Sequence, residues 1–180
     1  MSRSVRLSAA AAAAALVAAL GVAPAAGAAQ TGCAQAQASA ASVPAPAVGS
    51  AVRCLVNAER ARHGLAALSA SERLRAAAAA HSADMVARSF FAHVSPGGVT
   101  LTDRARRAGY PGRTLGEDIG WGTYQLGTPA AIVRAWMDSP PHRAIILNAR
   151  FREVGVGVAI GTPAEPTSAG AVYTLDVGRR

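Results

Sequence analysis

Four histidines and ten acidic residues carry most of the chemistry open to this chain, and their positions sort them into two kinds. His63 stands beside Gly64 at an expected helix end, where a cation complements the helix dipole. His81 shares a helical stripe with Leu74, Ala78 and Met85, the pattern of a hydrogen-bonded core histidine. His93 and His142 are different. Each lies in or beside a proline break, in Phe91-Ala92-His93-Val94-Ser95-Pro96 and Trp136-Met137-Asp138-Ser139-Pro140-Pro141-His142-Arg143. Proline removes a backbone donor and restricts the residue before it, so the double proline ends one helix and displays His142 just past that end. Glu117 and Asp138 are carboxylates beside, or at the end of, apolar elements. Two imidazoles with one or two carboxylates form a ligand set suited to zinc or another divalent transition metal. The spacing leaves an alternative open, a polar network that merely supports the loops, because no His-Glu-x-x-His helix is present.

Nucleophilic catalysis has less behind it. Ser95 and Ser139 neighbour the two histidines, but no Gly-x-Ser-x-Gly elbow occurs, and sequence neighbours rarely meet with triad geometry. Gly155-Val156-Gly157 lies in a strand pattern with no glycine-opened helix after it, which excludes a dinucleotide fingerprint.

The elements that must position these groups follow from periodicity and caps. A helix is expected from about Ser50, with Val52, Leu55 and Val56 on its inner face, ending at Gly64. Ser69-Ala70-Ser71-Glu72 opens a second helix as a capping box. Thr100 caps a short third helix, Leu101 to Ala108. Leu115 to Gly122 is too rich in glycine for a helix and reads as a strand or tight loop. Thr128-Pro129 opens a fourth helix with Ile132, Val133 and Trp136 inward, and His142 to Leu147 adds one or two further turns. Val154 to Val158 and Val172 to Val177 alternate with period two, as strands do. Helices with a small terminal sheet give an α+β or three-layer arrangement in one domain without internal repeats.

Residues 1–28 read as a secretory signal peptide: Arg3 and Arg6, an apolar Leu7–Val22 core, and Ala26-Gly27-Ala28 at the cleavage site. Residues 29–49 are too poor in large side chains to fold alone and are expected to form a flexible tail, with the folded domain at 50–180. Removing 1–28 leaves 16 basic and 10 acidic residues, a net charge of +6. Every basic residue is arginine. Such a surface attracts anionic cell-wall polymer or lipid headgroups. Export, scattered charge and the lack of a stacking motif argue against nucleic acid. Membrane contact is expected only through the export signal. Cys33 and Cys54 enclose 20 residues and can pair once exported, or remain two free thiols.

Several segments together resemble one family. Leu55-Val56-Asn57-Ala58-Glu59-Arg60 with Gly64-Leu65, His81-Ser82-Ala83-Asp84-Met85, the His93 loop, Gly116-Glu117-Asp118-Ile119-Gly120-Trp121, the His142 segment and Val154-Gly155-Val156-Gly157 resemble bacterial CAP proteins, in the order that family has them. The superfamily includes cysteine-rich secretory proteins, antigen five and plant pathogenesis-related proteins. The likeness covers about residues 51–178 and implies a three-layer α-β-α sandwich with a small antiparallel sheet and a solvent-open cleft. It also implies a tetrad lining that cleft: His93, Glu117, His142 and a second acid. Asp138 is the candidate for the fourth place, one position before Ser139, where the familiar glutamate would fall. Asp118 stands where asparagine is usual, and Pro141 where glycine is common. The expectation is a secreted, monomeric CAP-domain protein with a weak divalent-metal cleft, zinc foremost, and no assured catalysis. The alternatives are a metal-assisted hydrolase with Glu117 as general base, and a binding module for lipid, sterol or cell-wall polymer.

Overall fold

The computed structural model describes residues 32–164, 167 and 169–180; the expected signal peptide lies outside the described residues. The elements in chain order are α1 (Ala45–Arg62), β1 (Ser69–Ala70), α2 (Glu72–Ala87), α3 (Leu101–Arg107), β2 (Thr114–Thr123), α4 (Pro129–Asp138), α5 (Pro140–Ile146), β3 (Glu153–Ile160) and β4 (Gly170–Arg179). The strands form one sheet in the order β1-β3-β4-β2. β2, β3 and β4 run antiparallel, whereas the two-residue β1 joins β3 in parallel, so the sheet is mixed rather than wholly antiparallel. Helices cover both faces, the α+β sandwich the sequence led us to expect.

Alternation along the strands decides which helix meets which face. Val154, Val156, Tyr173, Leu175 and Val177 enter the larger core with Val52, Leu55 and Val56 of α1 and Ile132, Val133 and Trp136 of α4. The opposite face carries Gly155, Gly157, Thr174 and Asp176 towards α2. A Cβ on Gly155 or Gly157 would fall inside the van der Waals radii of backbone atoms of Arg75 or Ala78. These glycines therefore let α2 ride directly on β3. Trp136 Nε1 donates to the Ile119 carbonyl at 2.9 Å and Tyr173 OH to that of Gly127 at 2.6 Å, fixing α4 and its lead-in against β2 and β4.

The caps behave as their residue types require. Ser71 accepts from Leu74 N, Thr100 and Asp103 form a reciprocal capping box, and Thr128 accepts from Ala131 N ahead of Pro129. Three local readings need revision. The Ser69–Glu72 capping box does not form, because Ser69 and Ala70 pair with β3 as β1 and Ser71 alone caps α2. Pro140 and Pro141 do not stand between helices: they are the first residues of α5, where their missing N–H groups have no intrahelical partner to lose, so His142 sits in the first turn of a new helix. Of the 29–49 segment read as a flexible tail, residues 32–49 are packed. α1 begins at Ala45, and Cys33, Ala36 and Ala40 are buried in the larger core. The Cys33–Cys54 disulfide, with a bond from Ala130 N to the Ala36 carbonyl at 2.8 Å, supplies the anchorage that small side chains cannot.

Arg60 shows how a buried charge can serve structure alone. Fully buried in α1, it donates to the carbonyls of Ala66, Ile146 and Asn148 and so fastens the ends of two loops and α5. No helix among the described residues is long and apolar enough to cross a membrane.

Candidate functional site

The His93 loop, residues 91–99, runs between α2 and α3 and is held from both sides. His81, fully buried in α2, has Nε2 3.0 Å from the Ala92 carbonyl; a carbonyl only accepts, so this nitrogen carries the proton. Arg104, buried on the inner side of α3, donates from one nitrogen to the carbonyls of His93 and Val99, each at 3.1 Å. Its other terminal nitrogen is paired with Glu117 Oε2. Sequence reasoning assigned α3 correctly but left Arg104 out of the site. The signal was present: three residues after Leu101, it falls on the helix stripe that also carries Ala105, where a charge is out of place without a partner.

β2 brings Glu117 to the same point. Its side chain is 3% exposed, and Oε1 lies 2.8 Å from His93 Nδ1. Burial pushes the Glu117 carboxyl upward, but the His93 hydrogen bond, the Arg104 and His81 charges and the Arg104 hydrogen bond outweigh it, leaving the group below its ordinary range and ionised. An ionised carboxylate only accepts, so His93 Nδ1 donates to it, and Nε2 is the ring nitrogen that Glu117 leaves unengaged. The His93 side chain is 55% exposed, so the imidazole is open to solvent.

His142 is half-buried in the first turn of α5, with Nδ1 2.8 Å from Ser139 Oγ. Burial lowers its pKa, and the positive charge of a protonated His93 lowers it further. His93 and Glu117 are bonded directly, whereas the bonded partner of His142 is Ser139. Asp138 does not join them. It is exposed at the last position of α4, and the side chain that meets His142 is Ser139. Among the described residues no group of three or more His, Cys, Asp and Glu is arranged to hold a metal ion. Both Glu117 oxygens are taken, one by an imidazole and one by a guanidinium. The same occupancy leaves Glu117 poorly placed as a general base; the group it orients towards solvent is His93.

Two more buried carboxyls flank Glu117. Asp176 is its direct cross-strand partner on β4 and fully buried; burial and then the Glu117 charge raise it well above its ordinary value, so it carries a proton. Asp118, the next residue of β2, points into the opposite, apolar core. It is 1% exposed, neither oxygen has a hydrogen-bond partner among the described residues, and burial followed by the Glu117 charge pushes it up to about 8.

This geometry coincides with a family match. The model of the cysteine-rich secretory protein family (CAP) matches residues 54–165, more than half of the chain. The chain belongs to the CAP family. Two Bacillus subtilis (strain 168) relatives carry the likeness: the uncharacterized protein YkwD, 41% identical over 103 residues, and the uncharacterized membrane protein YlbC, 36% identical over 104 residues. The matched segments are 57% and 58% of this chain but only 39% and 29% of those proteins, so this CAP chain corresponds to well under half of either. Among solved structures it superposes on an extracellular protein containing a SCP domain from Bacillus anthracis str. Ames, with a TM-score of 0.64, 28% identity, and coverage of 76% of this chain and 41% of that one. An outer surface protein of Borrelia burgdorferi shares the fold, with a TM-score of 0.62 at 17% identity, covering 72% and 90% of the two chains.

Proposed function

We propose that this CAP protein is exported and that its cleft offers two imidazoles, His93 and His142, as a weak site for a divalent metal such as zinc. The observation that carries the reading is the 2.8 Å bond from His93 to Glu117. A carboxylate bonded to one ring nitrogen fixes the tautomer and turns the other nitrogen outward, the arrangement commonly found behind metal-binding histidines. Glu117 is then a supporting acid rather than a ligand, and Ser139 plays the corresponding part for His142. A metal held there would supply Lewis acidity; this chain's own contribution is to orient two nitrogens and keep an ionised acid behind one of them. Export is supported by the charged and apolar segments of residues 1–28, by the Cys33–Cys54 disulfide, which suits an oxidising compartment, and by the extracellular description of the Bacillus anthracis neighbour.

Zinc titration of the protein lacking residues 1–28, followed by calorimetry and histidine NMR, tests the site. Binding is expected to be weak, because two protein ligands leave most of the coordination to water, and to vanish in His93→Ala/His142→Ala. Equal heats for the two proteins would remove the metal reading.

A further inference from the structure

We propose a second site, for linear phosphate polymers, in the concavity where the 111–114 turn meets the end of β4. This pocket, with a volume of about 420 Å³, is lined by Pro111, Gly112, Thr114 and four arginines: Arg113, Arg150, Arg179 and Arg180. No acid lines it. The arginines come from three separated stretches of chain, so the fold itself gathers these like charges in one place. Gly112 permits the approach, since a Cβ there would collide with the Arg179 carbonyl. Arg180 is paired with Glu153, whereas the side chains of Arg113, Arg150 and Arg179 have no hydrogen-bond or ion-pair partner among the described residues. Two positive charges remain uncompensated even if Glu153 and an α-carboxylate on Arg180 are both counted.

The occupant follows from this chemistry. Guanidinium groups bind phosphate oxygens two at a time, and a concave cluster of them suits an anion that can be contacted from several sides. The basic surface continues past the pocket on one side, where Arg113 also lines a neighbouring hollow with Arg106 and no acid. Continuity of this kind fits repeated phosphates along a chain better than one isolated anion. A nucleic acid would need an aromatic platform as well, yet the nearby Tyr110 is buried with its hydroxyl donated to Glu153. A bilayer surface would need exposed apolar anchors at the rim; the exposed large apolar side chains, such as Phe91, Trp121, Tyr124 and Leu126, belong to other parts of the molecule. The pocket uses none of the residues of the histidine cleft, and its test does not depend on the zinc reading.

Calorimetric titration with long-chain inorganic polyphosphate and with pyrophosphate, at low and at physiological salt, tests the site. Polyphosphate is expected to bind more tightly than pyrophosphate and to weaken as salt rises. Arg113→Ala/Arg150→Ala, which alters only exposed side chains, should weaken polyphosphate binding by about tenfold or more. The charge-matched control Arg88→Ala/Arg134→Ala should change it by less than about twofold. Equal losses in the two double variants would reduce the effect to net charge and overturn the proposal. No binding by the wild-type protein would overturn it too, as would tighter retention on anionic phospholipid vesicles than on polyphosphate.

Discussion

Replacing Arg104 by methionine, which keeps its bulk and removes its charge, isolates the contact on which the cleft depends. Arg104 and Glu117 have side chains 6% and 3% exposed, so neither recovers water when its partner is lost. Removing one member of a buried pair costs about 3–5 kcal/mol, mostly from the unpaired charge left behind. The His93 carbonyl also loses its donor, worth about 1 kcal/mol where it stays dry, whereas the Val99 carbonyl keeps the Ser95 N–H. Because these terms share one side chain and the loop can relax, a loss of about 4 kcal/mol is expected rather than their sum. Urea unfolding at pH 7 would show it as a midpoint about 2 M lower, using an ordinary denaturant slope of about 2 kcal/mol/M. In a Glu117→Gln background, where no carboxylate is stranded, the same change should cost less than half as much. Acid should also shrink the cost. The Glu117 carboxyl lies below its ordinary value in the folded protein, so its contribution is present above the unfolded value of about 4.3 and is lost as pH falls through the folded one. A loss under about 1 kcal/mol at pH 7, or equal losses in both backgrounds, would refute the reasoning that the buried charge pair is what Arg104 provides.

Two further outcomes are expected. Asp118→Asn should stabilise the protein by about 1–3 kcal/mol at pH 8 and by little at pH 4, measured by denaturant unfolding at both values. The sign follows from the raised carboxyl: folding favours its protonated form, so the native acid contributes fully below its unfolded value and loses that contribution as pH rises towards about 8. Gly157→Ala should cost about 1–3 kcal/mol, because the new methyl group meets α2 backbone rather than a movable side chain; a thermal midpoint within about 1 °C of wild type would show that α2 can simply slide.

The elements were largely legible because their signals are local. Ser71, Thr100 and Thr128 cap helices by chemistry confined to one turn, and the alternation in β3 and β4 follows from a single buried face. His93, Glu117 and His142 stood out by their places beside proline breaks and apolar elements, and only the resemblance grouped them in one cleft. What escaped was decided by tertiary partners. Arg104 acquires its role from a strand thirteen residues downstream and from the loop before it. Asp138 and Ser139 are adjacent, and Ser139 meets His142 because it stands in extended backbone between α4 and α5, a matter settled by where α4 ends. The packed 32–44 segment was misread on composition, because composition does not register a covalent link to α1 or the seats offered to Ala36 and Ala40 by a core assembled from distant elements.

Glu117 and Asp118 stand side by side on β2 and look into different interiors, and this gives the sheet a way to proofread its own assembly. β2 must find β4 across some fifty residues of intervening chain, and several glycines make its backbone tolerant of more than one alignment. A slip by one residue would exchange the two acids. The longer, ionised carboxylate would be thrust among Phe151, Trp136 and Leu175, while the shorter one would be left reaching for Arg104 and His93. Stranding an ionised acid in an apolar layer costs several kcal/mol, a large share of a domain's whole stability, so the pairing shifted by one residue is strongly disfavoured against the native one.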